Sequence, residues 1–205
     1  MKLLLIRHAE PDTEHGPRPD PPLSATGREQ AVALAGWLAG EELAAVYTSP
    51  LWRARETAGF LSPGAVAVDG LAEVGGAGEY VAAEVMRRDG DPRYAALITG
   101  DLTVWGVDVA AFRATVVEAL DGIVDRHPGA TVAVVSHAGV INAYLGAHLG
   151  IGSRLIWSAL DYGGVTRVLA NRDGARTIWA LNELPHHCGQ PAKETKEIAS
   201  WPVGS

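Results

Sequence analysis

Three short, mostly apolar runs, residues 3–6, 44–48 and 131–136, constrain most strongly what this chain can fold into. Each is too short to be a buried helix. Each lacks the alternation of a half-exposed strand, which is the pattern of a parallel strand covered on both faces. Helical periodicity separates them. Ala31, Leu34, Ala35 and Leu38 place a helix over 26–38. Ser49 reads as an N-cap with Pro50 at the first helical position, opening a helix that runs to about residue 61. A longer helix over 109–126 puts Phe112, Val116, Ala119, Leu120 and Ile123 on one face, and His127-Pro128-Gly129 stops it. Another helix follows the third run over 139–149. Residues 66–68 add a short strand, and 165–170 and 177–181 flank the hairpin signal Asn171-Arg172-Asp173-Gly174. The stretch 80–106 is the least legible and reads as short helices over one end of the sheet. Strands alternating with helices predict an α/β fold, a three-layer α/β/α sandwich with a mainly parallel central sheet and an antiparallel edge hairpin. Residues 1–185 are expected to form a single domain, and 186–205 a polar, irregular tail apart from Trp201.

Composition narrows the function. The chain has 205 residues, 47% of them hydrophobic, enough for a sizeable core. A formal net charge of -7 excludes a global basic footprint for nucleic acid, so a small anion must be held by cations gathered at one site. The single cysteine, Cys188, excludes an intrachain disulfide framework and a multi-cysteine zinc site. No apolar run is long enough to span a bilayer, and Arg7 and His8 interrupt the opening Leu3-Leu4-Leu5-Ile6 too early for a signal peptide. A cytoplasmic protein without membrane or nucleic-acid partners is expected. Nothing in the residues specifies an oligomeric state.

Chemistry gathers at three strand ends, where an open α/β sheet places its ligand crevice. Arg7-His8 follows the first strand. Ser49-Pro50-Leu51-Trp52-Arg53 follows the second. Ser136-His137-Ala138-Gly139 joins the third to its helix. Strands lying side by side would bring two arginines and two histidines into one pocket.

These segments resemble a known family. Arg7-His8-Ala9-Glu10 is similar to the Arg-His-Gly-Glu signature of the histidine phosphatases, the phosphoglycerate-mutase-like superfamily. Leu23-Ser24-Ala25-Thr26-Gly27-Arg28-Glu29-Gln30-Ala31 resembles the start of their first helix, and Ser49-Pro50-Leu51-Trp52-Arg53-Ala54-Arg55-Glu56-Thr57-Ala58 their Ser-Pro-Leu-x-Arg-Ala-x-Glu-Thr-Ala segment. Leu71-Ala72-Glu73 matches the stretch bearing the family's acidic residue, and Val135-Ser136-His137-Ala138-Gly139-Val140-Ile141 the second-histidine motif. The five matches keep the family's order from residue 3 to about 149. Three departures stand out. Ala9 replaces a glycine. The loop Pro11-Asp12-Thr13-Glu14-His15-Gly16 lacks an asparagine often found there. Trp105-Gly106-Val107-Asp108-Val109 stands where many members have Gly-Gly-Glu-Ser.

The resemblance implies a phosphatase hydrolysing a small phosphomonoester without a cofactor or metal. Neutral His8 would be the nucleophile, its second ring nitrogen donating to a backbone carbonyl. Phosphoryl transfer needs positioning and counter-charge on the equatorial oxygens, and Arg7 and Arg53 supply planar forks for them. His137, protonated beside a phosphate, and the helix-start amide of Ala138 would add donors. Glu73 would protonate the leaving alkoxide and then activate water, with Glu79 as its competitor. The rival readings are a phosphoglycerate-mutase-type phosphotransferase and a non-enzymatic phosphate-binding module. Weaker signals are Arg18, by default solvated, and Trp52 and Trp105, which either wall an apolar pocket or pack in the core. His186-His187-Cys188 lacks a fourth metal ligand. Gly75, Gly76 and Gly78 form no phosphate loop, since no Lys-Ser/Thr follows.

Overall fold

A computed structural model describes residues 1–13, 19–76, 80–152 and 154–185. Six strands form one sheet: β1 (Lys2–Arg7), β2 (Leu43–Thr48), β3 (Val66–Ala67), β4 (Thr131–Ser136), β5 (Val165–Ala170) and β6 (Arg176–Glu183). Their order is β3-β2-β4-β1-β5-β6. The first four in that row run parallel, β5 pairs antiparallel with β1, and β6 closes the edge antiparallel to β5. This is the expected mainly parallel sheet with an antiparallel edge pair.

Successive side chains of a strand point to opposite faces, so β1 serves two cores. Leu4 and Ile6 pack with Leu34 and Leu38 of α1 (Ala25–Leu38) and Ala54 and Ala58 of α2 (Trp52–Leu61). Leu3 and Leu5 pack on the other side with Leu120 and Ile123 of α5 (Val109–Arg126) and Val140 and Tyr144 of α6 (Ala138–His148). Both faces are thus covered, which is why the β1 and β4 runs are apolar without alternation. The stretch after β3 holds a 3-10 turn at Asp69–Leu71, the short helices α3 (Ala83–Arg88) and α4 (Pro92–Thr99), and a second 3-10 turn at Leu102–Trp105. No helix among the described residues is long and apolar enough to cross a membrane.

Ser49 does not cap α2. The helix begins at Trp52 behind Leu51, whose side chain makes no cap bond. The Ser49 hydroxyl meets the His137 ring and the Leu51 amide just ahead of the helix, and the exposed Trp52 amide is capped from outside the helix by the Asp20 carboxylate at 2.8 Å.

Strand register builds the site. Arg7 pairs with Ser136, and Thr48 with Val135, so β1, β4 and β2 end level. The residues that follow, His8, His137 and Ser49, emerge side by side with His137 in the middle.

Candidate active site

His8 sits at the centre, buried just beyond β1. Its Nδ1 donates to the Ala9 carbonyl at 2.7 Å, which leaves Nε2 as the lone-pair nitrogen. Arg53 Nε donates to that Nε2 at 3.2 Å. Arg7, also buried, donates through Nη1 to the Leu160 carbonyl. Burial, with Arg53 and Arg7 adding repulsion, holds the His8 pKa well below the usual imidazole value. The ring is neutral, and its free nitrogen lies beside a guanidinium.

His137 lies edge-on to His8, with ring centroids 5.0 Å apart. The Ser49 hydroxyl accepts from the Leu51 amide at 3.2 Å and stands 2.8 Å from His137 Nε2. The hydroxyl can give its proton to that nitrogen or accept the ring's own, depending on the tautomer. Nδ1 has no hydrogen-bond partner among the described residues. The expected protonated His137 is not the free-site state: burial first, then Arg53, His8 and Arg7, depress its pKa well below the ordinary value.

Glu73 follows the Asp69–Leu71 turn and closes the other side. Its Oε2 accepts from the Gly139 amide near the start of α6, and Oε1 from its neighbour Val74, each at 3.0 Å. The residue as a whole is half-buried, but its carboxyl is enclosed, and this desolvation raises its pKa against the opposing pull of the two amides and the arginines. The contact requires glycine at 139, where an added Cβ would stand 2.2 Å from Glu73 Oε1. Gly139→Ala is expected to push the Glu73 carboxyl, the movable end of its side chain, off the Gly139 amide and to destabilise the fold by about 1 kcal/mol, the net worth of one hydrogen bond. The penalty should shrink in a Glu73→Ala background, read by denaturant unfolding as a double-mutant cycle. Equal penalties in both backgrounds would break the proposed link.

A cavity of about 230 Å³ opens over these groups, lined by Arg7, His8, Arg53, Glu73, His137 and Ala138 among others. All six residues expected from the sequence meet there. Three more were not foreseen. The Tyr162 ring lies 3.8 Å from the Arg7 guanidinium and the Tyr80 ring 4.4 Å from that of Arg53, while their hydroxyls meet at 3.2 Å. Asp20 accepts from Arg53 Nη1 at 3.2 Å as well as capping α2. No local pattern pairs a residue at 20 with Arg53, or one at 80 with one at 162. Trp105 lines the cavity, whereas Trp52 is 61% exposed and lies away from it. Among the described residues no group of three or more His, Cys, Asp or Glu could hold a metal ion. Arg18, Glu79 and His186-His187-Cys188 lie outside the described residues.

A family model, the histidine phosphatase superfamily (branch 1), matches residues 3–183. The chain belongs to that superfamily. Solved structures agree on the histidine phosphatase fold. A phosphoserine phosphatase mutant from Entamoeba histolytica, in complex with phosphoserine, superposes with a TM-score of 0.74 at 23% identity, over 91% of this chain and 98% of that one. YhfR from Bacillus stearothermophilus gives 0.71 at 26% identity, over 87% and 95%. A putative alpha-ribazole-5'-P phosphatase from Escherichia coli gives 0.67 at 25%, over 89% and 97%. Comparison with curated proteins gives no match. In this histidine phosphatase the segments from Arg7 to His137 that carry the family resemblance are the ones that meet at the cavity.

Proposed function

We propose that the protein is a metal-independent phosphatase that hydrolyses small phosphomonoesters through a phosphohistidine on His8. The observation that carries this is the neutral His8 with its Nε2 directed into a pocket holding two buried arginines. A substrate phosphate displaces Arg53 Nε from the lone pair and takes the guanidinium forks of Arg53 and Arg7 on its equatorial oxygens. His137 Nδ1–H and the α6 amides at Ala138 add further donors. The Nε2–P bond forms as the ester P–O bond breaks, and protonated Glu73 delivers its proton to the leaving alkoxide. Glu73, now a carboxylate, takes a proton from water as the water oxygen attacks phosphorus, and the P–Nε2 bond breaks to release phosphate. The relatives described as phosphatases support the reaction class. A mutase would need a second phosphate anchor, and the outer wall of the cavity offers a poor one: Arg93 is already paired with Asp91 at 2.6 Å.

The test is to catch the intermediate. Mixing with a labelled phosphomonoester and quenching without acid should trap an acid-labile, base-stable adduct at His8. Label on a serine, or turnover with no adduct at any mixing time, would overturn the mechanism.

A further inference from the structure

Above the phosphate cluster the cavity changes character. Val74, Val81, Met86, Leu97, Trp105 and Ile156 form its outer wall, and Met86 and Leu97 are continuous with the buried core. Trp105 closes over the backbone at Gly75, whose φ of +82° and bare Cα allow the approach; a Cβ there would stand 3.1 Å from the indole Cδ1. Beyond the phosphate cluster, Tyr80 is the one uncharged hydrogen-bonding side chain among the described lining residues apart from the indole, and its hydroxyl already meets that of Tyr162. The one charged side chain beyond the phosphate cluster among the described lining residues is Arg93, held by Asp91 through Nη2 at 2.6 Å and Nε at 3.0 Å.

Resting on the phosphatase reading, we propose that the substrate is the phosphate ester of a small apolar alcohol, its organic group seated against Trp105 and Val81. Sugar hydroxyls placed on this wall would lose water and find, among the described lining residues, few side-chain partners beyond the Tyr80 hydroxyl, the indole N–H and Arg93, which is costly, whereas an alkyl or aryl group gains by leaving water. A second phosphate or a carboxylate would meet a guanidinium whose charge Asp91 already offsets. The cavity of about 230 Å³ is below the usual range for drug-sized ligands, so a phosphate and a single ring or short chain fill it.

The experiment compares four primary alkyl esters, so that leaving-group chemistry is similar: benzyl phosphate, n-pentyl phosphate, glucose 6-phosphate and 3-phosphoglycerate. The first two should exceed the others in kcat/KM by at least about tenfold, the scale on which an apolar pocket discriminates by a methylene or more. Trp105→Ala and Val81→Asn should each drive the benzyl to glucose 6-phosphate ratio towards one. Each ratio is measured within one preparation, so partial unfolding cancels. Glucose 6-phosphate or 3-phosphoglycerate hydrolysed as well as benzyl phosphate would overturn the substrate class and leave the phosphatase reading standing. A ratio unmoved by both substitutions would remove the apolar wall from recognition. Hydrolysis of none of the four would overturn both.

Discussion

His8→Ala is expected to lose roughly 10⁴- to 10⁶-fold of turnover, the scale seen when a covalent nucleophile is removed. Among the described residues the other imidazole of the cavity, His137, has its Nε2 engaged by the Ser49 hydroxyl, whereas His8 Nε2 is met only by a guanidinium that a phosphate displaces. Phosphate binding should survive, because Arg7, Arg53 and His137 remain and an anion needs the charge of the arginines and the donors of all three rather than a nucleophile. Inhibition by vanadate or inorganic phosphate should therefore stay within about tenfold of wild type, one charge-assisted contact being worth that much or more. The two readouts together separate loss of chemistry from loss of the site. Retention of more than about one per cent of turnover would show that the phosphoryl group does not pass through His8.

Glu73→Gln is expected to slow hydrolysis of an alkyl phosphate by about 10²- to 10⁴-fold and to spare an activated aryl phosphate, whose phenolate leaves without a proton. The pH profile gives a second reading, and its sign follows from the two shifted groups. Burial raises the Glu73 pKa, so the proton donor is present at pH values below that raised pKa and is lost as pH climbs through it. Burial and the arginines lower the His8 pKa, so the nucleophile is neutral above that depressed pKa and is lost as pH falls through it. The wild-type kcat/KM profile on an alkyl ester should thus be bell-shaped, with Glu73 on its alkaline limb and His8 on its acid limb. In Glu73→Gln the alkaline limb should disappear and the acid limb remain. If Glu79→Gln shows the leaving-group dependence and Glu73→Gln does not, the acid is Glu79.

Local sequence carried much of this site. The apolar runs of β1, β2 and β4 are short because each strand crosses a sheet buried on both faces, and polar residues at their carboxyl ends mark where that burial stops. Arg7, His8, Arg53 and His137 were legible for that reason. Helix α5 matched its periodicity at both ends, 109 and 126, because its apolar face and stop signal are local. Ser49 misled for an equally physical reason. Its N-cap propensity is real, but a buried imidazole at 2.8 Å claimed the hydroxyl, and Asp20, 32 residues earlier, supplied the cap. The residues alone determined the strand and helix alternation, the strand-end positions of the catalytic candidates, and the family resemblance. Tertiary structure alone decided that β4 lies between β1 and β2, which sets His137 between His8 and Ser49. It also decided that Tyr80 and Tyr162 cover the two arginines, that Asp20 anchors Arg53, and that Trp105 rather than Trp52 walls the cavity. Each of these is a contact between segments far apart in the chain, where packing and strand register, not local propensity, set the partner.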